Sequence, residues 1–455
     1  MVVDESQQRA QRDLEDRSGS DVSALGDARQ VALVYVDLAG IARVKTIPAE
    51  GFAVACDAGV GMSPVFDAFL TDDSITSSSV SGGPMDDLRL RPDPRFLRPL
   101  APLDGWAFAP VDRFRRDGTP YELCTRSALQ REVALLADAG ASATMGIELE
   151  WVVGLAGQDD FVPATSGPAY GLSRVIELAD YLRSLYDALE TAGLAVAQLH
   201  PEYAPAQFEL SLAPSDPVGA ADASVLARSV IRAVGERYGL RTSFAPVVDV
   251  GGVGNGGHIH LGLYRDGEPI FAGGDGPGGV RPEGESVIAW LLEELPAILA
   301  IAAPHPVSYL RLVPSHWAGA YRVWGIENRE AALRLVPAAT LVDGRAANVE
   351  LKGADLGANP YLLATSLLGI ARHALADPRT PPPPVEGDPA HHGGLERLPG
   401  DLAATLGALR SSELLQDVLG RSFLTAIGAV REAELARFAD ATPEELVAAM
   451  RWSWS

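Results

Sequence analysis

Apolar positions along the chain follow two different spacings, and the change from one to the other divides it near residue 122. Before that point the signals are those of strands. Val31–Val36 (VALVYV) is an unbroken apolar run, Asp37-Leu38-Ala39-Gly40 reads as a turn, and Ile41–Ile47 (IARVKTI) reads as a second strand, so the two runs predict a hairpin with a basic end at Arg43 and Lys45. Asp86–Asp93 alternates as a half-exposed strand does, and residues 67–81, rich in Asp, Ser and Thr, read as a loop. Residues 92–120 are punctuated by proline and contain Trp106-Ala107-Phe108. No long helical period occurs here, which predicts a small sheet-rich domain over residues 28–122. Residues 1–27 are polar and charged and predict a disordered tail.

From residue 123 helical and strand spacings alternate. Helices are predicted at Thr125–Ala139, Ser173–Thr191, Ala221–Tyr238, within the apolar run Val287–Val307, at Asn359–Leu375, Leu402–Leu409, Ser412–Leu419, Phe423–Phe438 and Pro443–Met450. Strands are predicted at Ala143–Val153, Leu194–Leu199, Gln207–Leu212, Ser243–Val250, His258–Tyr264, Ala331–Leu335 and Asn348–Lys352. Glycine- and proline-rich segments at 267–284 and 381–394 read as loops, the second a surface excursion with His391 and His392 in solvent. The whole reads as α+β, with a second, larger domain over residues 123–455.

Composition changes the picture in three ways. A net charge of −23 excludes a nucleic-acid binder, whose surface is basic. Two cysteines without metal-ligand spacing suit a reducing cytosol and predict a cytoplasmic protein. The most apolar run, Val287–Val307, is interrupted by Glu293, Glu294 and Pro296, so it predicts a buried helix and no membrane span.

Several short strands carry charge. Glu148-Leu149-Glu150 places two carboxylates on one side of a strand, between apolar neighbours that draw it inward. Aligned carboxylates repel and call for a cation. Glu202, Glu209 and Glu350 stand on or at the ends of comparable strands. In Gly254-Asn255-Gly256-Gly257-His258-Ile259-His260 two histidines share one face among glycines; alone, such a pair fits a zinc site, a hydrogen-bonded core pair or a surface pair. Taken together, five glutamates and a histidine on apolar strands suit hard cations, Mg2+ or Mn2+, better than zinc. Arg311, Arg322, Arg329 and Arg334 supply positive charge for a phosphate and carboxylate clamp. No Walker A loop and no GxGxxG motif at a strand–helix turn is present.

These segments, in this order, resemble the glutamine synthetase family of ATP-dependent glutamate–amine ligases. The resemblance is carried by Asp37–Lys45, Gly146-Ile147-Glu148-Leu149-Glu150, His200-Pro201-Glu202 with Gln207-Phe208-Glu209, Gly254–His260, Ser308-Tyr309-Leu310-Arg311-Leu312, Glu327–Arg334, and Glu350 with Ala358-Asn359-Pro360-Tyr361. It implies a β-grasp-like N-terminal domain, a catalytic domain with a curved antiparallel sheet flanked by helices, and a homo-oligomer, usually a dodecamer of two hexameric rings. It implies two to three Mg2+ or Mn2+ ions per active site and ATP as co-substrate. It assigns Glu150, Glu202 and Glu209 to one metal site and Glu148, His258 and Glu350 to another. His260 would lie by the nucleotide phosphates, Arg311 and Gly254 by glutamate, and Arg329 and Arg334 on the phosphates. The implied reaction is phosphorylation of glutamate's γ-carboxylate, then attack by an amine.

The departures from the family pattern concern the amine. The flap glutamate that shields the intermediate aligns with Trp317, and the arginine facing glutamate's side chain aligns with Lys352. Val253 stands where an asparagine is usual. Tyr170 matches a tyrosine of the ammonium pocket, and the ammonium-binding aspartate given by the neighbouring subunit is placed at Asp67. An aromatic ring in place of a carboxylate suits an organic amine, larger than ammonium and able to stack its charge on Trp317. An ammonia-using synthetase with a divergent pocket and a catalytically silent ring-forming paralogue are the alternatives; intact candidate metal ligands speak against the second of these.

Overall fold

The computed structural model describes residues 25–454 apart from 81, 84, 159 and 339–345, so the expected tail lies outside the described residues save for its last three. Strands β1 (Gln30–Val36) and β2 (Ala42–Pro48) form the expected antiparallel hairpin, with Val36 opposite Ala42. Asp37 builds the turn: Oδ1 accepts the N–H groups of Ala39 and Ile41, both at 2.9 Å, and Oδ2 accepts Arg43 Nε at 2.7 Å. Helix α1 (Phe52–Ala58) and strands β3 (Val60–Met62), β4 (Leu88–Pro92), β5 (Arg98–Pro99) and β6 (Trp106–Phe114) follow. The sheet order is β2-β1-β6-β4-β3, with β5 also on β6 and β1 parallel to β6. The proline-punctuated stretch thus hides the central strand, β6; Pro110 sits opposite Val34 in a strand buried almost throughout. The apolar run in β1 is unbroken because both faces are covered. Val31, Leu33 and Tyr35 pack with Phe52, Leu90 and Val111, while Ala32, Val34 and Val36 join the main core.

The second sheet has nine strands: β7 (Ala141–Leu155), β8 (Val196–Pro201), β9 (Gln207–Leu212), β10 (Leu240–Ser243), β11 (Ile259–Arg265), β12 (Glu268–Pro269), β13 (Tyr321–Ile326), β14 (Ala331–Val336) and β15 (Asn348–Leu351). Its order is β13-β14-β15-β11-β7-β9-β8, with β10 on β7 and β12 on β11; β13 and β14 are parallel and the other pairs antiparallel. The sheet curls into a half-barrel within a mixed α+β fold.

Ten further helices accompany this sheet among the described residues: α2 (Thr125–Asp138), α3 (Leu172–Glu177), α4 (Ala179–Thr191), α5 (Pro217–Arg237), α6 (Pro282–Ala302), α7 (Ser308–Arg311), α8 (Pro360–Ala376), α9 (Leu402–Ser411), α10 (Glu413–Arg437) and α11 (Pro443–Met450). None is long and apolar enough to cross a membrane. The helix expected at 173–191 breaks at Leu178 (φ −114°, ψ 25°), and the two expected at 412–438 run through a kink at Gly420, whose φ of 81° favours glycine. The expected strand 243–250 ends at Ser243: Pro246 cannot donate to a ladder, and its carbonyl instead accepts Asn255 N at 2.9 Å.

Buried polar contacts join the two sheets. Arg126 of α2 pairs with Asp93, Asp112 and Asp222, and Tyr361 donates to Asp222 at 2.7 Å. Asn359 caps α8 by accepting Tyr361 N and Leu362 N, and its Nδ2 donates to the Val36 and Asp37 carbonyls at 3.0 and 3.1 Å.

Candidate active site

Strand register collects the charged side chains. Glu150 on β7 stands opposite Glu209 on β9, which stands opposite His200 on β8. Glu350 on β15 stands opposite His260 on β11 and opposite Arg334 on β14. Directly paired residues share a sheet face. Each row is therefore a line of charge across one face, while Ile147, Leu149 and Trp151 fill the core on the other. Glu148, two residues from Glu150, joins the rows, since its N–H donates to the His258 carbonyl at 3.0 Å.

Donor atoms of Glu148, His260 and Glu350 all lie within 4.8 Å of one another, as do those of His200, Glu202 and Glu209. Two histidines among carboxylates give an oxygen-dominated donor set, which fits hard divalent cations. The grouping differs in detail from the expected one. His200, not assigned a role from the sequence, stands with Glu202 and Glu209, its Nε2 3.4 Å from Glu209. His260 reaches Glu148 at 3.1 Å. His258 Nδ1 lies 3.1 Å from Glu148 and 3.4 Å from Glu350, and its Nε2 lies 3.6 Å from Glu150. Arg311 Nη2 lies 3.0 Å from His258 Nε2, within hydrogen-bond distance.

The ionisation states follow from these contacts. Burial opposes charge on Glu148, but His258 and His260 outweigh it and hold the carboxyl well below its usual range. Burial likewise opposes charge on Glu350, where Lys352 and the same histidines prevail. Burial pushes Glu202 up to about 7; the Tyr170 hydrogen bond opposes this, and Glu150 and Glu209 add to it. The hydrogen bond to Glu209 lifts His200 to about 9 against burial.

Gly256 is required by close approach. A Cβ there would lie 2.3 Å from His258 Nε2 and 2.9 Å from both Arg311 Nη2 and Glu150 Oε1. Gly254 presents its carbonyl to Gln207 Nε2 at 3.0 Å, and that amide also reaches Glu150 and Asn255. Gln207 is a site residue that the sequence did not single out. The period of two that pairs Glu148 with Glu150 also pairs Gln207 with Glu209, and His200 with Glu202.

Around this floor stand the basic residues. Arg311 is buried on the carbonyls of Lys352 and Ala354. Lys352, also buried, donates to Glu350 at 3.1 Å. Arg334 bridges Glu350, at 3.1 Å, and Glu327. Arg329 is exposed, with no hydrogen bond or ion pair among the described residues. At the mouth, Tyr170 donates to Glu202 at 2.7 Å. The Tyr203 and Trp317 rings lie 4.9 Å apart, 47% and 42% exposed.

Asp67 does not join this site. It is fully buried beside the N-terminal sheet, with its oxygens 2.7 and 2.9 Å from Arg113 Nη1 and 3.0 Å from the Tyr121 hydroxyl. A carboxylate committed to an internal guanidinium has no surface to offer a neighbouring subunit, so its placement at the ammonium site is corrected.

Comparison with known proteins agrees with this geometry. The family model described as glutamine synthetase, catalytic domain, matches residues 122–448. The gamma-glutamylpolyamine synthetase GlnA3 of Streptomyces coelicolor is 48% identical over 434 residues, 93% of each chain. The glutamine synthetase of Pyrococcus abyssi is 29% identical, over 86% of this chain and 87% of its own. A crystal structure of a novel glutamine synthase homolog superimposes with a TM-score of 0.85 at 31% identity, covering 94% of this chain and 99% of that one.

Proposed function

The chain belongs to the glutamine synthetase family, and on that premise we propose that it is an ATP-dependent ligase joining glutamate, through its γ-carboxylate, to an organic amine. The name of the Streptomyces coelicolor relative points to a polyamine. The observation that carries the amine reading is the mouth of the site, where an exposed Trp317 ring packs on Tyr203 above a floor of carboxylates and arginines.

In this reading the γ-carboxylate of glutamate attacks the γ-phosphorus of ATP, ADP leaves, and γ-glutamyl phosphate forms. The amine nitrogen then bonds to the carbonyl carbon, the bond to phosphate oxygen breaks, inorganic phosphate departs, and the nitrogen loses a proton. Arg329 and Arg334 take charge developing on the phosphoryl group, with His260 beside the phosphates. Arg311, Lys352 and the Gly254 backbone hold glutamate; Tyr170 and Glu202 face the amine. Glu150, Glu202 and Glu209, and Glu148, His258 and Glu350, would hold two to three Mg2+ or Mn2+ ions. Bound ions would neutralise the phosphates during transfer. We assign residues 28–122 and 123–455 to separate domains, and the assembly to a dodecamer, which native mass spectrometry tests.

The deciding assay is phosphate release from Mg-ATP and glutamate with ammonium, ethanolamine, butylamine, 1,4-diaminobutane and spermidine. An organic amine is expected to exceed ammonium in kcat/KM. Ammonium as the best acceptor overturns the reading, and no release with any amine favours a silent paralogue.

A further inference from the structure

The mouth of the site holds a carboxylate that the reaction above does not use. Glu330 follows the phosphate-binding candidate Arg329. Its Oε1 accepts the Trp317 backbone N–H at 2.9 Å, and its other oxygen makes no hydrogen bond among the described residues. It is half-buried, and its other charged neighbours are Asp388, Lys352 and His316. Lys352 already donates to Glu350, and Asp388 adds negative charge. Burial and Asp388 oppose the charge on Glu330, Lys352 and His316 favour it, and neither cation is hydrogen-bonded to it among the described residues. The position of Glu330 is firm: its own N–H donates to Asn328 Oδ1 at 3.0 Å, and Asn328 Nδ2 is anchored on the carbonyls of Val385 and Gly387 at 2.8 and 2.9 Å.

A path leads from the reacting centre to this carboxylate. Glu202 accepts Tyr170 Oη at 2.7 Å and the backbone N–H of Tyr203, the next residue, at 2.9 Å. The Trp317 ring lies 4.9 Å from the Tyr203 ring, and the Trp317 backbone carries Glu330. Trp317 holds φ at 55°, in the left-handed region that a bulky side chain rarely adopts, so the ring is held over Tyr203 by its surroundings, the Glu330 contact among them. In order of contact these are a carboxylate, two exposed aromatic rings and a carboxylate.

That order matches an α,ω-diamine. One nitrogen must be neutral to attack the γ-glutamyl phosphate. The other stays protonated near pH 7, as alkylamines do. Methylenes suit the ring faces, and an ammonium suits a partly desolvated carboxylate beside aromatic rings. Resting on the ligase reading above, we propose that Glu330 binds the distal ammonium of a diamine or polyamine, with Tyr203 and Trp317 as the walls along its methylenes. A monoamine of the same length leaves Glu330 unpaired, and a site built around a polar partner discriminates strongly against an analogue that lacks it. Glu330 is then a specificity residue; its hydrogen bond to Trp317 alone would make it merely structural.

The test compares kcat/KM for 1,4-diaminobutane and n-butylamine in the full-length enzyme and in Glu330→Gln. Glutamine still accepts the Trp317 N–H, so a purely structural role is preserved while the charge is lost. The expected result is a diamine preference in the wild type that falls at least tenfold in the variant, chiefly through the diamine KM. An unchanged diamine-to-monoamine ratio, or equal losses on both amines, overturns the proposal. If Glu330→Gln does not fold, Glu330→Asp keeps the charge with a shorter reach and should move the preferred diamine to a longer one; an unmoved preference overturns the proposal. A wild type that prefers ammonium defeats the ligase reading itself, whereas diamine preference that survives loss of Glu330 defeats only this inference.

Discussion

Glu209 stands directly opposite Glu150 across the ladder between β7 and β9, each 8% exposed. Two like charges so placed repel in the folded chain, and the ladder keeps them together because Phe208 and Leu210 on one strand and Leu149 and Trp151 on the other are locked in the core. The repulsion is removed when a cation lies between them. Glu209→Gln removes this repulsion together with the Glu209–His200 pair, so metal-free stability should change by no more than about 1 kcal/mol. The substitution should also shrink the rise in Tm that Mn2+ produces in the wild type. Thermal melts of both proteins in EDTA and in Mn2+ check this. An undiminished Mn2+ shift would remove Glu209 from the ligand set.

Arg329 is exposed and makes no ion pair among the described residues, whereas Arg334 is held between Glu327 and Glu350. A guanidinium free to engage a phosphoryl group as its charge develops contributes to the transition state more than to substrate binding. Arg329→Ala should lower kcat by about 10²- to 10³-fold with a much smaller change in the glutamate KM. Steady-state kinetics with the best amine decides, and an unchanged turnover excludes the role.

Asn359 links the cap of α8 to the N-terminal hairpin through four hydrogen bonds. Asn359→Ala loses the cap, about 1 kcal/mol, and the buried hydrogen bonds to the Val36 carbonyl and to the Asp37 carbonyl, which keeps the Gly40 N–H at 3.2 Å, about 1–3 kcal/mol together. The expected sum is about 2–4 kcal/mol, visible as a lowered urea midpoint. A loss within about 0.5 kcal/mol, the scale of a change at an unimportant surface position, would show that the hairpin docks without this residue.

His305 is fully buried, with Nε2 3.4 Å from the Gly357 carbonyl and its ring 4.6 Å from Trp454. Burial, reinforced by Arg431, holds its imidazole well below the ordinary 6.5. A depressed folded value means that the unfolded chain binds the proton first. The stabilisation is thus complete above about pH 6.5 and is lost as the pH falls below it, by up to about 1.4 kcal/mol per pH unit. Asp37 and Asp355, each pushed up to about 6 chiefly by burial, work in the opposite sense over the same interval. The informative quantity is therefore the difference between wild type and His305→Gln. That difference should narrow between pH 6.5 and 5.5 in urea titrations; a constant difference would show that His305 protonates in the folded protein.

Local spacing makes much of this protein legible in the sequence. The period of two in Glu148-Leu149-Glu150 places both carboxylates on one face whatever the strand pairs with, because side-chain direction is set by the backbone of that strand alone. The hairpin at Asp37, the cap at Asn359 and most helices belong to the same class, since each depends on residues a few positions apart. Strand β6 is not legible in this way, because burial on both faces removes alternation, and Pro110 reads as a break until its partner strand is known.

What the chain order does not supply is register. Whether Glu150 meets Glu209, and whether Glu350 lies between His260 and Arg334, depends on pairings between strands far apart in sequence. The same holds for Asp67, whose local surroundings look like an exposed loop but whose partner is Arg113, 46 residues on, and for Glu330, whose tie to Trp317 is a property of the folded mouth. Sequence alone determined the residue types, their faces and the family pattern, because these are written in short-range spacing. Only the tertiary structure decided which charges meet, because packing of the apolar face fixes how the strands slide past one another and carries the polar face with it.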